Sequence, residues 1–297
     1  MYQHSHLVVD AGGTKTAFAL LFDGKVFRCQ CAGINANYTS EADILRIIAE
    51  AVSQFPKEIT VSAIDYYGAG CATQQNALRM EGYLRMYFPN AVIQVWSDLM
   101  AACHALANGR EAIVCILGTG AASCHYDGYK MASRAPSLGW LLGDEGSGTH
   151  LGKCLLTAYL SDSLPHPIRT AFEERYHLNR DRILHKLYQE PKPNLFLSQF
   201  APFLNEYHKE PAIRQLITTA FETFFNKQKS YYSSCNELPW HFTGSVAAHF
   251  EELLREAATN AGCVIGEIAG DPMERIISIE KIAKQYGSHS DVCDTSL

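Results

Sequence analysis

The residues best suited to chemistry lie in two glycine-rich turns, each between two strand-like stretches. The first turn is in LVVDAGGTKTAF, Leu7 to Phe18, and the second is Gly118-Thr119-Gly120, which follows AIVCIL. Glycine permits backbone conformations in which successive N–H groups face one anion. Both turns are therefore predicted to bind phosphate groups. The residues of this prediction are Asp10, Gly12, Gly13, Thr14, Lys15, Thr16, Gly118, Thr119 and Gly120.

The spacing in the first turn excludes two common nucleotide-binding loops. A Walker loop reads G-x-x-x-x-G-K-[ST] and leads directly into a helix. DAGGTKT lacks the first glycine at that spacing and leads into the strand-like AFALLF. A dinucleotide-binding G-x-G-x-x-G before a helix is also absent. One glycine turn between antiparallel strands is usually structural, but two at equivalent places in a repeat can hold a triphosphate.

The elements around the two turns have the same order. Leu7 to Phe27 contains a strand, the glycine turn, a strand, an Asp23-Gly24 hairpin turn and a strand. AIVCILGTGAASCHYDGYKMAS repeats these parts with Asp127-Gly128 as its hairpin turn. The repetition indicates a duplicated fold, with one copy opening each of two lobes. The order β-β-β-α-β-α-β-α predicts that the first is an α/β lobe with helices on a mixed sheet.

Helical spacing and turn residues place the remaining elements. SEADILRIIAEAVSQF is predicted to form a helix capped by Ser40, and NALRMEGYLRMYF a helix between the strands ITVSAIDYYGAG and AVIQVWSD. In the second lobe, AIRQLITTAFETFFNK forms a long helix. WHFTGSVAAHFEELLREAATNAG reads as a strand, a Gly-Ser loop and a helix that ends at Gly262. YQEPKPNLF is interpreted as a connector and GSHSDVCDTSL as a frayed tail.

Composition excludes several classes of function. The 297 residues carry a formal net charge of -6, which gives no electrostatic footprint for nucleic acid. No signal peptide and no apolar run of membrane-spanning length are present, so we expect a cytoplasmic protein without a membrane partner. The 10 cysteines are scattered without a C-x-x-C pair. Buried free thiols are therefore expected rather than a zinc site.

Several motifs together resemble a known superfamily. VVDAGGTKTAF is similar to the first phosphate motif, ILGTG to the second and FTGSVA to the adenosine motif of the actin, Hsp70 and sugar-kinase superfamily. Within it, WSDLMAA, ILGTGAASCHYDG and LGWLLGDEGSGTHLG resemble the N-acetylglucosamine kinases that are grouped with the BadF/BadG/BcrA/BcrD ATPases.

The resemblance implies an α/β protein of two ribonuclease-H-like lobes, the duplicated actin-like ATPase fold, with ATP and a sugar in the cleft between them. The lobes are expected to span 1–111 with 273–297, and 112–272. The helix around MERIISIEKIAKQY would return to the first lobe. The oligomeric state stays open between a monomer and a homodimer.

The resemblance also implies roles for single residues. Asp98 would be the general base and would contact the sugar, and Asp10 would hold Mg²⁺ beside ATP. Gly244 and Ser245 would lie against the adenosine. An N-cap role remains the alternative for Asp98, a turn-stabilising role for Asp10 and an exposed position without a phosphate contact for Lys15.

Sugar contacts are implied for Asn37 in GINANY and for Asp144 in GDEGSG. The alternatives are a turn role for the neighbouring Asn35 and helix capping for Asp144 and Glu145.

Three departures bear on the acceptor. Ala122 stands where the relatives have an asparagine, with Ser123 or Asn35 as the expected substitute donors. GINANY lacks a following proline or tryptophan, and Arg275 replaces a glycine. N-acetylglucosamine is the expected acceptor. Glucosamine, N-acetylmuramic acid, another hexose, a BadF-type activator ATPase and a nucleotide-gated binding module remain alternatives.

Overall fold

The computed structural model describes residues 5–232 and 237–285. The chain divides into two compact units. The first comprises Met1–Ala105 with Pro272–Leu297, and the second comprises Leu106–Asp271.

The first unit is built on a five-stranded mixed sheet. Its strands are β1 (His6–Ala11), β2 (Lys15–Phe22), β3 (Lys25–Ala32), β4 (Ala63–Gly68) and β5 (Val92–Ser97), in the spatial order β3-β2-β1-β4-β5. β2 is antiparallel to β1 and β3, whereas β4 is parallel to β1 and β5. The predicted order of elements in this part of the chain is confirmed.

Three helices each follow one strand of this sheet. They are α1 (Glu41–Ser53) after β3, α2 (Gln74–Tyr87) after β4 and α3 (Asp98–Leu106) after β5. The Ser40 side chain accepts a hydrogen bond from the Asp43 N–H and caps α1, as predicted. Ile44, Ile47 and Ile48 on one face of α1 are buried in the core.

The second unit repeats the sheet topology. Its strands are β6 (Glu111–Leu117), β7 (Ala121–Asp127), β8 (Met131–Arg134), β9 (Pro239–Thr243) and β10 (Val264–Ala269), in the order β10-β9-β6-β7-β8. The β6–β7–β8 meander is antiparallel, and β9 is parallel to β6 and β10. The α/β class and the duplication are therefore confirmed.

The helices of the second unit pack around a large aromatic core. They are α4 (Gly139–Leu142), α5 (Gly148–Leu160), α6 (His166–Tyr176), α7 (Arg180–Tyr188), α8 (Pro193–Ser198), α9 (Ala201–Glu206), α10 (Pro211–Lys229), α11 (Ser245–His249) and α12 (Glu251–Asn260). Fully buried rings fill the space between these helices and the sheet, namely Phe172, Phe200, Phe203, Phe221, Phe224, Phe225, Trp240 and Phe242.

The last helix of the described residues, α13 (Pro272–Gln285), belongs to the first unit. It contacts β1, and Glu274 accepts two hydrogen bonds from the Arg28 guanidinium of β3, at 2.9 and 2.8 Å. None of the helices in the described ranges is long and apolar enough to cross a membrane.

Two features of the second unit differ from the sequence interpretation. The segment YQEPKPNLF is only partly a connector, because Lys192 adopts a left-handed conformation (φ 60°) and Pro193 then begins α8. Strand β10 was not predicted at all. Gly262 does end α12 with a positive φ of 70°, as predicted. The tail GSHSDVCDTSL lies outside the described residues.

Candidate functional site

The parallel strands of the first unit bring two predicted carboxylates to one edge of its sheet. Asp10 pairs with Tyr67 of β4, which pairs with Trp96 of β5. Asp98 lies two residues beyond Trp96, immediately after β5. Because parallel strands end at the same edge, Asp10 and Asp98 both lie at the carboxyl edge, where α/β proteins form their sites.

The N-cap role, which is the alternative for Asp98, is filled by its neighbour Ser97. The Ser97 hydroxyl accepts a hydrogen bond from the Met100 N–H at 3.3 Å, which is the N-cap contact of α3. Asp98 Oδ1 accepts one from the Leu99 N–H at 2.9 Å. The Asp98 carboxylate is thus fixed at the start of α3 while a different side chain caps the helix.

The loop after β4 lies beside Asp98. Burial raises the pKa of the Cys71 thiol to about 12, and the negative charge of Asp98 adds to this rise. A thiol in this state stays protonated at neutral pH and does not act as a nucleophile. Cys71 therefore contributes a neutral wall next to the carboxylate.

The first glycine turn is closed by its own backbone. The Gly12 N–H donates to the Lys15 carbonyl at 2.9 Å, and Gly33 packs against Gly12 and Gly13 of the turn. A Cβ atom at Gly33 would lie 2.5 Å from the carbonyl of Gly13, so only glycine fits there. Within the described residues, the N–H groups of Gly13 and Thr14 have no hydrogen-bond partner, and both residues are exposed. They are the donors available to a phosphate.

Two predicted residues beside this turn differ in their surroundings. Lys15 is exposed. Thr16 is fully buried, and its hydroxyl accepts a hydrogen bond from the Ile34 N–H at 3.1 Å. The alternation of buried residues along β2, in which Thr16 shares a face with Phe18 and Leu20, could have predicted this position. The Thr16 hydroxyl supports the turn from inside.

The GINANY segment contains a turn residue and an exposed amide. Asn35 Oδ1 accepts a hydrogen bond from the Asn37 N–H at 2.9 Å, the geometry of an Asx turn. Asn35 therefore has a turn role, and its side-chain oxygen accepts a hydrogen bond within the turn. The Asn37 side chain is exposed and contacts Asn76 of α2.

The second glycine turn is held by the start of a long helix. The Gly118 carbonyl accepts from the Gly148 N–H at 2.8 Å, and the Thr119 carbonyl accepts from the Thr149 N–H at 3.1 Å and from its hydroxyl at 2.6 Å. Ser147 caps this helix, α5, by accepting from the His150 N–H at 3.2 Å. The turn thus lies against a 13-residue helix whose N-terminal dipole favours anions.

Asp144 connects its own loop to the second turn. Its Oδ1 accepts a hydrogen bond from the Ala121 N–H at 3.1 Å, and its backbone has a positive φ of 59°. Burial raises the pKa of Asp144, and the charge of Glu145 adds to the rise. Glu145 forms an ion pair with Lys227 of α10, so the two neighbouring acids have different partners.

Ala122 and Ser123 lie next to this loop with opposite environments. Ala122 lines a small cavity of about 20 Å³ together with Asp144, about the volume that one water needs. Ser123 is buried, and its hydroxyl lies 2.6 Å from both Gln228 Oε1 and the Tyr232 hydroxyl. The expectation that Ser123 substitutes for the missing asparagine is wrong, because its hydroxyl is already used inside the core.

A cavity of about 360 Å³ opens in the second unit beside the second glycine turn. This volume lies in the range of small-molecule sites. Its wall is formed by the turn, α5 and the α8–α9 and α11 regions, with the lining residues Gly118, Thr119, Gly148, Ser198, Gln199, Ala201, Pro202, Asn205, Ser245, Val246, His249 and Phe250. The sequence motifs identified the turn and Ser245, whereas nothing in the sequence pointed to the α8–α9 wall.

Gly244 packs closely against the end of β6, directly before Ser245 of the cavity wall. It has a φ of 106°, and a Cβ atom there would lie 2.3 Å from the Leu117 carbonyl oxygen. No side chain fits in this position without displacing β6. The strand β9, Gly244 and α11 therefore bring Ser245 to the cavity wall.

The cavity and the adjacent second turn suit a nucleoside with its phosphate chain, and the first turn separately offers backbone donors for a phosphate. For a divalent cation, the described residues contain no group of three or more His, Cys, Asp or Glu side chains that could hold a metal by themselves. Mg²⁺ usually takes one or two carboxylates and completes its shell with water and substrate phosphates. Asp10, a single carboxylate beside an exposed phosphate turn, suits that mode of binding.

The chain is similar to one described family and to solved structures. Residues 7–184 match the BadF/BadG/BcrA/BcrD ATPase family. A Porphyromonas gingivalis protein provisionally assigned as an N-acetylglucosamine kinase is 33% identical, with a TM-score of 0.84 over 94% of this chain and 99% of that one. No curated protein matches significantly.

More distant structures share the fold. A Chromobacterium violaceum protein, also provisionally assigned as an N-acetylglucosamine kinase, is 18% identical with a TM-score of 0.70 over 93% of this chain and 99% of that one. A ROK family glucokinase from Streptomyces griseus, in complex with glucose and AMPPNP, is 14% identical with a TM-score of 0.58 over 95% of this chain and 99% of that one. The predicted fold and the predicted family are confirmed.

Proposed function

This chain belongs to the BadF/BadG/BcrA/BcrD ATPase family and is by class an ATP-dependent carbohydrate kinase, and we propose that its acceptor is an amino sugar, N-acetylglucosamine. The observation that carries the ATP-dependent chemistry of this proposal is the cavity of about 360 Å³ beside the second glycine turn and Ser245. Its volume suits the adenosine of ATP.

The second unit would hold most of the nucleotide. Adenosine would lie along Gly244 and Ser245, and its phosphates would lie at Gly118-Thr119-Gly120. The exposed N–H groups of Gly13 and Thr14, with Lys15, would contact the terminal phosphates. Asp10 would hold Mg²⁺, whose positive charge would offset that of the phosphate chain.

Asp98 would act as the general base of the transfer. Its carboxylate accepts the proton of the attacking sugar hydroxyl, the hydroxyl oxygen forms a bond to the γ-phosphorus, and ADP leaves. The position of Asp98 at the carboxyl edge, with the helix cap supplied by Ser97, supports this role.

Asn37 and Asp144 would bind the sugar. Asn37 supports this role by its exposed amide. Asp144 supports it by lying beside Ala122 at the small cavity while one oxygen accepts from Ala121. The choice of N-acetylglucosamine follows the provisional assignment of the Porphyromonas gingivalis relative as an N-acetylglucosamine kinase.

ATP consumption with and without sugars tests the proposal. We expect N-acetylglucosamine to raise ATP consumption above the rate without sugar. Glucosamine, N-acetylmuramic acid and glucose should each raise it less. Equal rates with every sugar and with none would contradict a kinase and indicate an ATPase without a small acceptor. A coloured purified protein that contains iron and sulfide would favour the activator ATPase instead.

A further inference from the structure

Asn76 of α2 donates a hydrogen bond to the side chain of Asn37. Asn76 Nδ2 lies 2.7 Å from the Gly70 carbonyl oxygen and 2.9 Å from Asn37 Oδ1. Both distances are ordinary for N–H···O hydrogen bonds. The two protons of one amide nitrogen are therefore used, one for the loop after β4 and one for Asn37.

This pair of contacts fixes which way both amides point. A backbone carbonyl oxygen only accepts, so the Asn76 atom that faces Gly70 must be the nitrogen. That same nitrogen faces Asn37, and the Asn37 atom on this side must therefore be the oxygen. The Asn37 nitrogen, with its two N–H groups, is then turned away from Asn76.

The backbone around the two side chains is locked as well. The Ala36 N–H donates to the Ala69 carbonyl at 2.9 Å. Gly70 has a φ of 82°, and a Cβ atom there would lie 2.6 Å from Asn35 Oδ1 and 2.9 Å from the Asn37 nitrogen of the main chain. The GINANY turn and the loop after β4 therefore cannot slide past each other, and the distance from Asn76 to Asn37 is set by the fold.

We propose that Asn76 is a positioning residue that presents Asn37 to the ligand as a hydrogen-bond donor only. The group that Asn37 receives must then be an oxygen that accepts, either a sugar hydroxyl oxygen or a carbonyl oxygen. An ammonium has no lone pair and does not fit this position. The inference rests on the proposed sugar-binding role of Asn37.

Two substitutions remove the donor in different ways. Asn76→Asp places acceptor oxygens where the nitrogen was, so Asn37 rotates and donates to the new carboxylate. Asn37→Asp leaves the contact with Asn76 intact and removes the N–H groups that face the ligand. Each variant should raise the KM for the sugar by up to about tenfold, the value of one hydrogen bond, with kcat and the KM for ATP nearly unchanged.

A double-mutant cycle with Asn37→Ala separates positioning from a general structural effect. If Asn76 acts through Asn37, then Asn76→Asp adds nothing to the KM for the sugar once Asn37 is alanine. The matched control is Gln75→Glu, which adds the same charge one residue earlier on exposed helix surface. An Asn76→Asp effect equal to that of Gln75→Glu, or one that persists unchanged in Asn37→Ala, would overturn the proposal.

Amide proton exchange distinguishes a failure of this inference from a failure of the proposed function. If the wild type phosphorylates no sugar, the function is wrong, and the orientation is read by NMR from the side-chain amide protons of Asn76 in the free protein. We expect both to exchange more slowly than those of the exposed Gln75. Exchange as fast as that of Gln75 would overturn the orientation itself.

Discussion

The two glycine turns have equivalent places in their units but are supported in different ways. The first turn closes on itself through Gly12 and Lys15, and its rear packs against Gly33. The second is held from outside, because Gly148 and Thr149 of α5 donate to its carbonyl oxygens. The first turn thus depends on its own hairpin, whereas the second depends on a helix that begins about 30 residues later in the chain.

The roles proposed for the two turns differ as well. The second turn, fixed by α5 and bordered by the 360 Å³ cavity, suits a nucleotide that must be held in one place. The first turn shares its sheet edge with Asp98, the proposed base, and with the Asn37 turn. Substitutions at Asp98 and Asn37 should therefore change phosphoryl transfer and acceptor binding, and those in the wall of the 360 Å³ cavity should change nucleotide affinity.

The largest expected effect is that of Asp98→Asn. Loss of a general base lowers turnover by roughly 10²–10⁴-fold, while ATP still binds in the second unit. The measurements are kcat with sugar and the Kd of a non-hydrolysable ATP analogue. Ser97→Ala is the control, because it removes the cap of α3 and leaves the carboxylate. It should lower the free energy of unfolding by about 0.5–2 kcal/mol with kcat largely kept. Turnover lost equally in both variants would mean that the helix start, not the carboxylate, is what matters.

Gly244→Ala tests the nucleotide side of the comparison. The new Cβ atom would lie 2.3 Å from the Leu117 carbonyl at a φ of 106°, so nucleotide affinity and stability should both fall strongly. Gly262→Ala is matched for the positive φ but has open space around it. It should cost about 1–3 kcal/mol of stability at most and leave nucleotide affinity unchanged. Calorimetric titration and thermal unfolding of both variants separate the clash from the backbone strain.

Two glycines around the first turn should respond very differently to alanine. At Gly33 the Cβ atom would meet backbone atoms of Gly13 at 2.5 Å, so the turn must move and the KM for ATP should rise with a loss of stability. At Gly13 it would meet only the hydroxyl of Tyr38, a side chain that is 71% exposed and can rotate away. A Gly13→Ala variant as impaired as Gly33→Ala would contradict this comparison. It would show that rotation of the Tyr38 side chain does not make room for a Cβ atom at Gly13.

Ala122→Asn should have a smaller effect, on the acceptor alone. Ala122 borders the small cavity beside Asp144, and the Ser123 hydroxyl is engaged by Gln228 and Tyr232. A restored amide should lower the KM for N-acetylglucosamine by up to about tenfold, with the KM for ATP unchanged. Steady-state kinetics with both substrates would reveal it. An unchanged or higher KM for the sugar would mean that Ala122 does not face it.

The smallest effect concerns pH. His150 Nδ1 accepts a hydrogen bond from the Gly146 N–H at 3.1 Å, in the loop that carries Asp144. Burial lowers the pKa of His150 below its ordinary value of 6.5, and Lys153 and Lys227 add to this while Glu145 opposes it. The contribution of neutral His150 to the free energy of unfolding is fully present above pH 6.5. It is lost as the pH falls through the lowered pKa of the folded protein.

His150→Gln should therefore show a smaller loss of Tm than the wild type between pH 7 and pH 5. The pKa values of His104 and His241 are also lowered by burial, so part of the acid sensitivity remains in the variant. Identical pH profiles of Tm for both proteins would show that the pKa of His150 is the same in the folded and unfolded states, which would contradict the prediction.

Local signals in the sequence were enough for much of the fold. The Asp-Gly hairpins, the Ser40 cap and the Gly262 helix end depend on contacts within a few residues, and the duplication was visible as a repeated order of elements. Strand β10 and the α8–α9 wall were not predictable in this way. Their structure depends on packing against β9 and against α5, which is distant in the sequence.

The candidate site shows the same limit. Motifs identified the turns, Asp98 and Gly244, but they could not show that Ser97 rather than Asp98 caps α3, because both residue types cap helices. They also could not show that Asn76 holds Asn37, a contact across 39 residues of chain. The alternation along β2 did predict that Thr16 is buried, whereas the glycine-rich motif predicted that it contacts a phosphate.

The destination of the γ-phosphoryl group separates a sugar kinase from an ATPase. Phosphorus NMR of a reaction with ATP, Mg²⁺ and N-acetylglucosamine should show a sugar phosphomonoester that forms in step with ADP, with little inorganic phosphate. The same reaction with Asp98→Asn should show almost none. Inorganic phosphate as the sole product, at the same rate with and without the sugar, would contradict the proposed function.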